Sequence, residues 1–309
     1  MTLRYDEIGK RLKAFRLGSG LAADEIAQRI GISRTALYRF EKGELAKIET
    51  LEKLSELLHV SMPTLLGVGI EYIPSAVSYF ERIRQLEETA EQIIVLAGPI
   101  SFVLASDRFE ESLDQVLRES IPLELPNRER SLADVDKIMA ILHERKQTYL
   151  RRKPNIVNLI SSMQVERFLS NGLIGRVLLS NAERAKRLEM ARMEIEHFAS
   201  VIDQESIGMQ VGLVTDNLPH NGFQIFRQPE YSTLTISPFR LGEQPNVRVG
   251  VAMVTSAPEA LQLHQNVVNE AWRTAIKGPA AAAYLRELLA AQSKSRPKSS
   301  SRSNGLPPK

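Results

Sequence analysis

The stretch Leu21-Ala-Ala-Asp-Glu-Ile-Ala-Gln-Arg-Ile-Gly-Ile-Ser-Arg-Thr-Ala-Leu-Tyr-Arg-Phe-Glu-Lys-Gly43 decides the fold of the N-terminal part. It spells two short helices joined by a tight turn. Ala27 is small where two helix backbones must approach, and Gly31 supplies the permissive φ/ψ that the turn requires. Ser33 stands where an N-cap belongs, so its hydroxyl can satisfy an orphan N–H of the second helix. Ile32 and Leu37 pin that helix against the first. Arg34, Thr35, Tyr38 and Arg39 are then left on its outer side. Arginine is the most effective reader of guanine edges in the major groove of DNA, so this fold signal is also a functional one.

The flanking residues complete a bundle. Ile8, Leu12 and Phe15 recur at helical spacing and predict a helix over about 6–17, ended by Gly18 and Gly20. Thr50 is positioned to cap a later helix whose inner face is Leu51, Leu54, Leu57 and Leu58. Pro63 suits the first turn of a short fifth helix carrying Leu65 and Leu66.

On Ile8-Gly9-Lys10-Arg11-Leu12, Arg16, Glu25-Ile26-Ala27, Gly31-Ile32-Ser33, Leu37 and Phe40-Glu41-Lys42-Gly43, residues 8–66 resemble the XRE, phage-repressor-like, helix-turn-helix family. The resemblance implies that the helix over 33–42 lies in the major groove. Ser33, Arg34, Thr35, Tyr38, Arg39 and Lys42 would then form the DNA-binding set. It also implies a structural pair, Arg16 with Glu41, forming a partly buried salt bridge. Many members begin the second helix with a glutamine that touches a phosphate; here that place holds Ala23.

Bulk properties frame the rest. A chain of 309 residues with 43% hydrophobic and 25% charged residues is that of a water-soluble globular protein of one to three domains. A net charge of only +3 means that affinity for DNA must come from a local patch. The absence of cysteine excludes disulfides, thiol catalysis and cysteine-held zinc or iron, and fits a reducing cytoplasm. The first residues are charged and lack an apolar signal core. The most apolar run, Ile93 to Leu104, is broken by Gly98-Pro99 and is too short to span a bilayer. No membrane association is expected.

Beyond the bundle, 67–74 reads as a linker and 75–96 as a helix. Residues 100–105 read as a strand, 109–119 as a helix and 131–151 as a long helix, followed by a strand over 156–160 and a helix over 182–202. Strands over 209–215, 223–227, 231–237 and 247–254 and helices over 258–275 and 279–290 complete the chain. The expected organisation is multidomain: an all-α five-helix DNA-binding domain over 1–68, a linker and helical connector over 69–130, a mixed α/β domain over 131–291, and a disordered basic tail over 292–309.

The stretches Glu144-Arg145-Lys146-Gln147, Gln210-Val211 and Gly222-Phe223-Gln224-Ile225 give 142–289 a weaker resemblance to the large domain that follows XRE modules in many bacterial regulators. Gln164 stands where that family has an acidic residue. The resemblance implies a sensing or partner-binding domain, sometimes paired with a small cognate protein in an antitoxin-like manner.

No metal site, cofactor site or catalytic constellation is evident. The five histidines lack metal-type spacing, no Gly-x-Ser-x-Gly elbow occurs, and Asn171-Gly-Leu-Ile-Gly175 reads as a turn. His220, in a turn cluster, is a candidate ligand contact, and Trp272 reads as core. A non-enzymatic, sequence-specific transcriptional regulator is expected. Its partners are double-stranded DNA, a second copy of the chain in a homodimer, and a small-molecule effector or small partner protein. The alternative is an antitoxin-like autoregulator.

Overall fold

The computed structural model describes residues 4–176, 178–216, 218–219 and 221–294. The His220 expectation lies outside them, as does the tail beyond residue 294.

Five helices open the chain: α1 (Tyr5–Ser19), α2 (Ala23–Ile30), α3 (Arg34–Glu41), α4 (Ile48–Leu57) and α5 (Met62–Leu66). Ser33 and Ser61 cap α3 and α5 by accepting from Ala36 N and Thr64 N, and Pro63 sits in the first turn of α5, as its missing N–H favours. Two details differ from the sequence reading. The N-cap of α4 is Lys47, one turn before Thr50. Gly18 does not end α1, which continues to Ser19 and stops at Gly20.

The remainder begins with β1 (Ile70–Ile73), α6 (Ala76–Glu87), β2 (Gln92–Leu96), a 3-10 turn at Phe102–Leu104, α7 (Asp107–Glu119) and α8 (Arg128–Arg152). It continues through β3 (Asn155–Ser161), α9 (Ser162–Asn171), α10 (Asn181–Asp203), β4 (Met209–Val214), β5 (Phe223–Arg227) and β6 (Ser232–Ile236). It closes with β7 (Ala252–Thr255), α11 (Pro258–Thr274), β8 (Ile276–Lys277) and α12 (Gly278–Lys294). The strands form one mixed eight-stranded sheet in the order β1-β7-β6-β5-β2-β3-β4-β8. β2, β3 and β4 are parallel, joined by helical crossovers, and β5 is antiparallel to β2.

β2 shows why this sheet holds. Ile93 and Val95 face one hydrophobic cluster, while Ile94 and Leu96 face a second, under Val268 of α11. A strand covered on both faces must be apolar throughout, which is what this run supplies.

The segment 69–130 is therefore not a connector. It contributes an edge strand and a strand at the centre of the sheet. The helix expected to reach residue 96 stops at Glu87, because the β-branched run Ile93-Ile94-Val95 pairs with β3 and β5. The strand expected over 100–105 is a 3-10 turn instead, and α8 starts at Arg128, one turn before the predicted start. The tail expected from residue 292 begins inside α12. Glu144 to Gln147 lie within α8, where Arg145 makes a buried pair with Glu87 at 2.9 and 2.8 Å. Trp272 is half-buried against the second cluster.

The bundle is not tethered to this body but docked on it. One hydrophobic cluster runs from Leu12 and Phe15 through Val77 and Phe80 to Leu285. The contact layer between α1 and α6 is polar and buried. Arg82 lies between Glu7 and Glu71, Glu81 meets Lys13 at 3.3 Å, and Gln85 Nε2 donates to Lys10 O at 3.1 Å. Gly18 allows the approach, since a Cβ there would fall 1.9 Å from Ser78 Oγ.

Candidate nucleic-acid interface

α2 and α3 meet through Ile26, Ala27, Ile30 and Leu37, all buried. Gly31 ends α2 at φ +77°, with open space where a Cβ would stand, so the backbone angle and not crowding demands glycine there. α3 packs on α1 and α2. Ser33, Arg34, Thr35, Arg39 and Lys42 are exposed, and Tyr38 is half-buried. Among the described residues, those of the larger body leave this face uncovered.

The arginines are at the surface but engaged. Arg34 Nη1 lies 3.2 Å from Asp24 Oδ2 on α2, and its Nε and Nη2 each donate to Tyr38 Oη at 3.2 Å. Tyr38 and then Asp24 hold its pKa above the ordinary arginine value. Arg39 Nε donates to both carboxylate oxygens of Glu44 at 2.7 Å, which likewise raises Arg39 and lowers Glu44. Both guanidiniums thus have carboxylate partners within the bundle itself. With side chains 57% and 61% exposed, Arg34 and Arg39 can exchange partners without uncovering any core.

Behind this face, Arg16 holds Glu41 in a bidentate pair, one arm being Nη2 to Oε2 at 3.0 Å. Tyr38 is flanked by two cations, with Arg16 and Arg34 5.6 and 5.4 Å from its ring centroid. The ring thus links the buried pair to the exposed guanidinium and fixes where Arg34 starts from.

One neighbour was not legible in the sequence. Arg130, exposed in the first turn of α8, donates from Nη2 to Ser19 O at 2.9 Å and lies against Gly20. It reaches the loop leading into α2, close to the place of Ala23. Its separation in sequence hid it, since the partners are 111 positions apart.

Comparison with known proteins agrees with this geometry. No curated protein matches the chain. The family model described as Helix-turn-helix matches residues 12–65 and ends before the sheet begins, so the N-terminal bundle is an XRE-type helix-turn-helix module of the kind that DNA-binding regulators carry.

Proposed function

We propose that the chain is a sequence-specific transcriptional regulator. α3 enters the major groove, where Arg34 and Arg39 read base edges. Ser33, Thr35, Tyr38 and Lys42 line the same contact, and Arg130 adds a phosphate contact beside the start of α2. The observation that carries this reading is the uncovered outer face of α3, with its two exposed arginines.

A module of this size buries too little surface for tight specific binding alone. Two copies on a near-palindromic site, with half-sites about 34 Å apart, supply what one lacks. The α/β body provides contacts between copies and senses a ligand or a partner. It acts as a binding protein, without catalysis.

Selection of bound sequences from random double-stranded DNA is the test. An enriched, near-palindromic site is expected. Arg34→Ala and Arg39→Ala should each lose about 1–3 kcal/mol on that site and relax one base position. No enrichment, or wild-type footprints from both variants, refutes the reading.

A further inference from the structure

A cavity of about 170 Å³ opens beyond the carboxyl end of β2. Here the sheet changes character, since β3 on one side of β2 is parallel and β5 on the other is antiparallel. Crevices outside the carboxyl ends of parallel strands are where open α/β sheets hold small molecules.

The walls specify the chemistry. Arg145, buried, lines the cavity, but its Nε and Nη2 are committed to Glu87, which lines it too, so the inner charges cancel. Arg240 is at the exposed rim, with Nε on Gln244 O at 3.1 Å. Tyr79, Phe80, Phe223 and Phe239 supply ring surface. Gln164, Asn221 and Gln224 supply amides, each presenting a donor beside an acceptor.

Register extends a polar row across the sheet from Gln224, which lines this site. Gln224 is paired with Val95 on β2 and with Thr235 on β6, whose hydroxyl lies 3.5 Å from Tyr79 Oη. On the far side of Val95, the fully buried Asn158 has neither amide atom hydrogen-bonded among the described residues. Buried polar atoms without partners are costly, and they concentrate where a protein has a use for them.

α6 connects this site to the bundle. All 12 of its residues are buried. Tyr79, Phe80 and Glu87 line the cavity, while Glu81, Arg82 and Gln85 hold α1.

We propose that this cavity binds a small, uncharged, planar heterocycle with adjacent hydrogen-bond donor and acceptor, a nucleobase or cyclic amide, and that its occupation shifts α6 and alters DNA affinity. The second half rests on the regulator reading above; the first does not. Neutral ring ligands fit because the inner guanidinium is already compensated, and amides match a donor–acceptor edge in two bonds at once.

Calorimetric titration of the full chain tests the site, with adenine and hypoxanthine as neutral probes and benzoate as a charged planar probe. Saturable binding of a base is expected, weakened about tenfold or more by Gln224→Leu and blocked by Val95→Phe, with no binding of benzoate. If Val95→Phe does not fold, Gln224→Leu still decides. No saturable heat from either base at millimolar concentration, an unchanged affinity in Gln224→Leu, or tighter binding of benzoate each overturns the assignment. Fluorescence anisotropy on the selected DNA, with and without the base, tests the coupling. A changed affinity supports it, and an unchanged one overturns it. Absence of DNA binding both with and without the base strikes the regulator reading alone and leaves the titration standing.

Discussion

Arg82 donates from Nε and Nη2 to the two carboxylate oxygens of Glu71 at 3.2 and 3.3 Å, with only 1% of its side chain exposed. Glu7 of α1 approaches the same guanidinium at 3.5 Å. One arginine on the buried helix α6 therefore compensates a carboxylate of the sheet and a carboxylate of the DNA-binding bundle. Such a network fixes how the two parts sit, and removing Arg82 leaves the buried Glu7 to Lys10 and the buried Glu71 to Arg11. Arg82→Leu should cost about 3–5 kcal/mol, measured as a lower urea midpoint at unchanged m-value. A loss below about 1 kcal/mol would show that the network does not hold the parts together.

Glu7 gives this network a pH signature. Burial disfavours its charge, but Arg82 and Lys10 outweigh burial and hold its pKa at about 2, against 4.5 for the free group. A folded-state pKa below the unfolded one means that the stabilisation is complete above about pH 4.5 and is lost as pH falls toward 2. The contribution is on the order of 3 kcal/mol. Urea midpoints across that window should fall for the wild type and fall less for Glu7→Gln. Parallel curves would remove Glu7 from the account.

Gly18 offers a test of opposite signs. Propensity alone predicts that Gly→Ala inside a helix stabilises by about 1 kcal/mol. A Cβ added at this position would instead meet Ser78 Oγ at 1.9 Å and Ser75 Oγ at 2.7 Å. Gly18→Ala should therefore destabilise, by about 1–3 kcal/mol, and Ser78→Gly should restore part of the loss. A higher melting temperature for Gly18→Ala would mean that α1 and α6 do not approach this closely.

In the proposed complex Glu44 competes with DNA for Arg39, to which it is joined at 2.7 Å by both oxygens. Glu44→Gln removes that competitor and a negative charge from the contact face. Tighter DNA binding is expected, most visibly at low salt, in fluorescence anisotropy titrations. Weaker binding would instead assign Glu44 a positioning role for Arg39.

The bundle was legible because its signals are local. Gly31, the Ser33 cap, the spacing of Ile26, Ile30 and Leu37, and Pro63 in a first turn each act within a few residues. The face of α3 followed from periodicity, and its exposure agrees with the expectation that it projects outward. α6 was harder. Its sequence, with Glu81, Arg82, Arg84, Gln85 and Glu87, carries the polar residues of a solvated helix, yet all of it is buried. The partners that make burial tolerable, Glu7, Lys13, Glu71 and Arg145, lie on other elements.

The residue order by itself determined the helix-turn-helix and the outward arginines, because caps, turn angles and helical period are properties of a few consecutive residues. The tertiary structure alone decided that 69–130 builds the sheet, that Arg130 reaches the loop before α2, and that α6 lies between a cavity and the bundle. Those outcomes depend on charges and hydrogen-bond partners far apart in the chain, and only packing brings them close enough to offset the cost of leaving water.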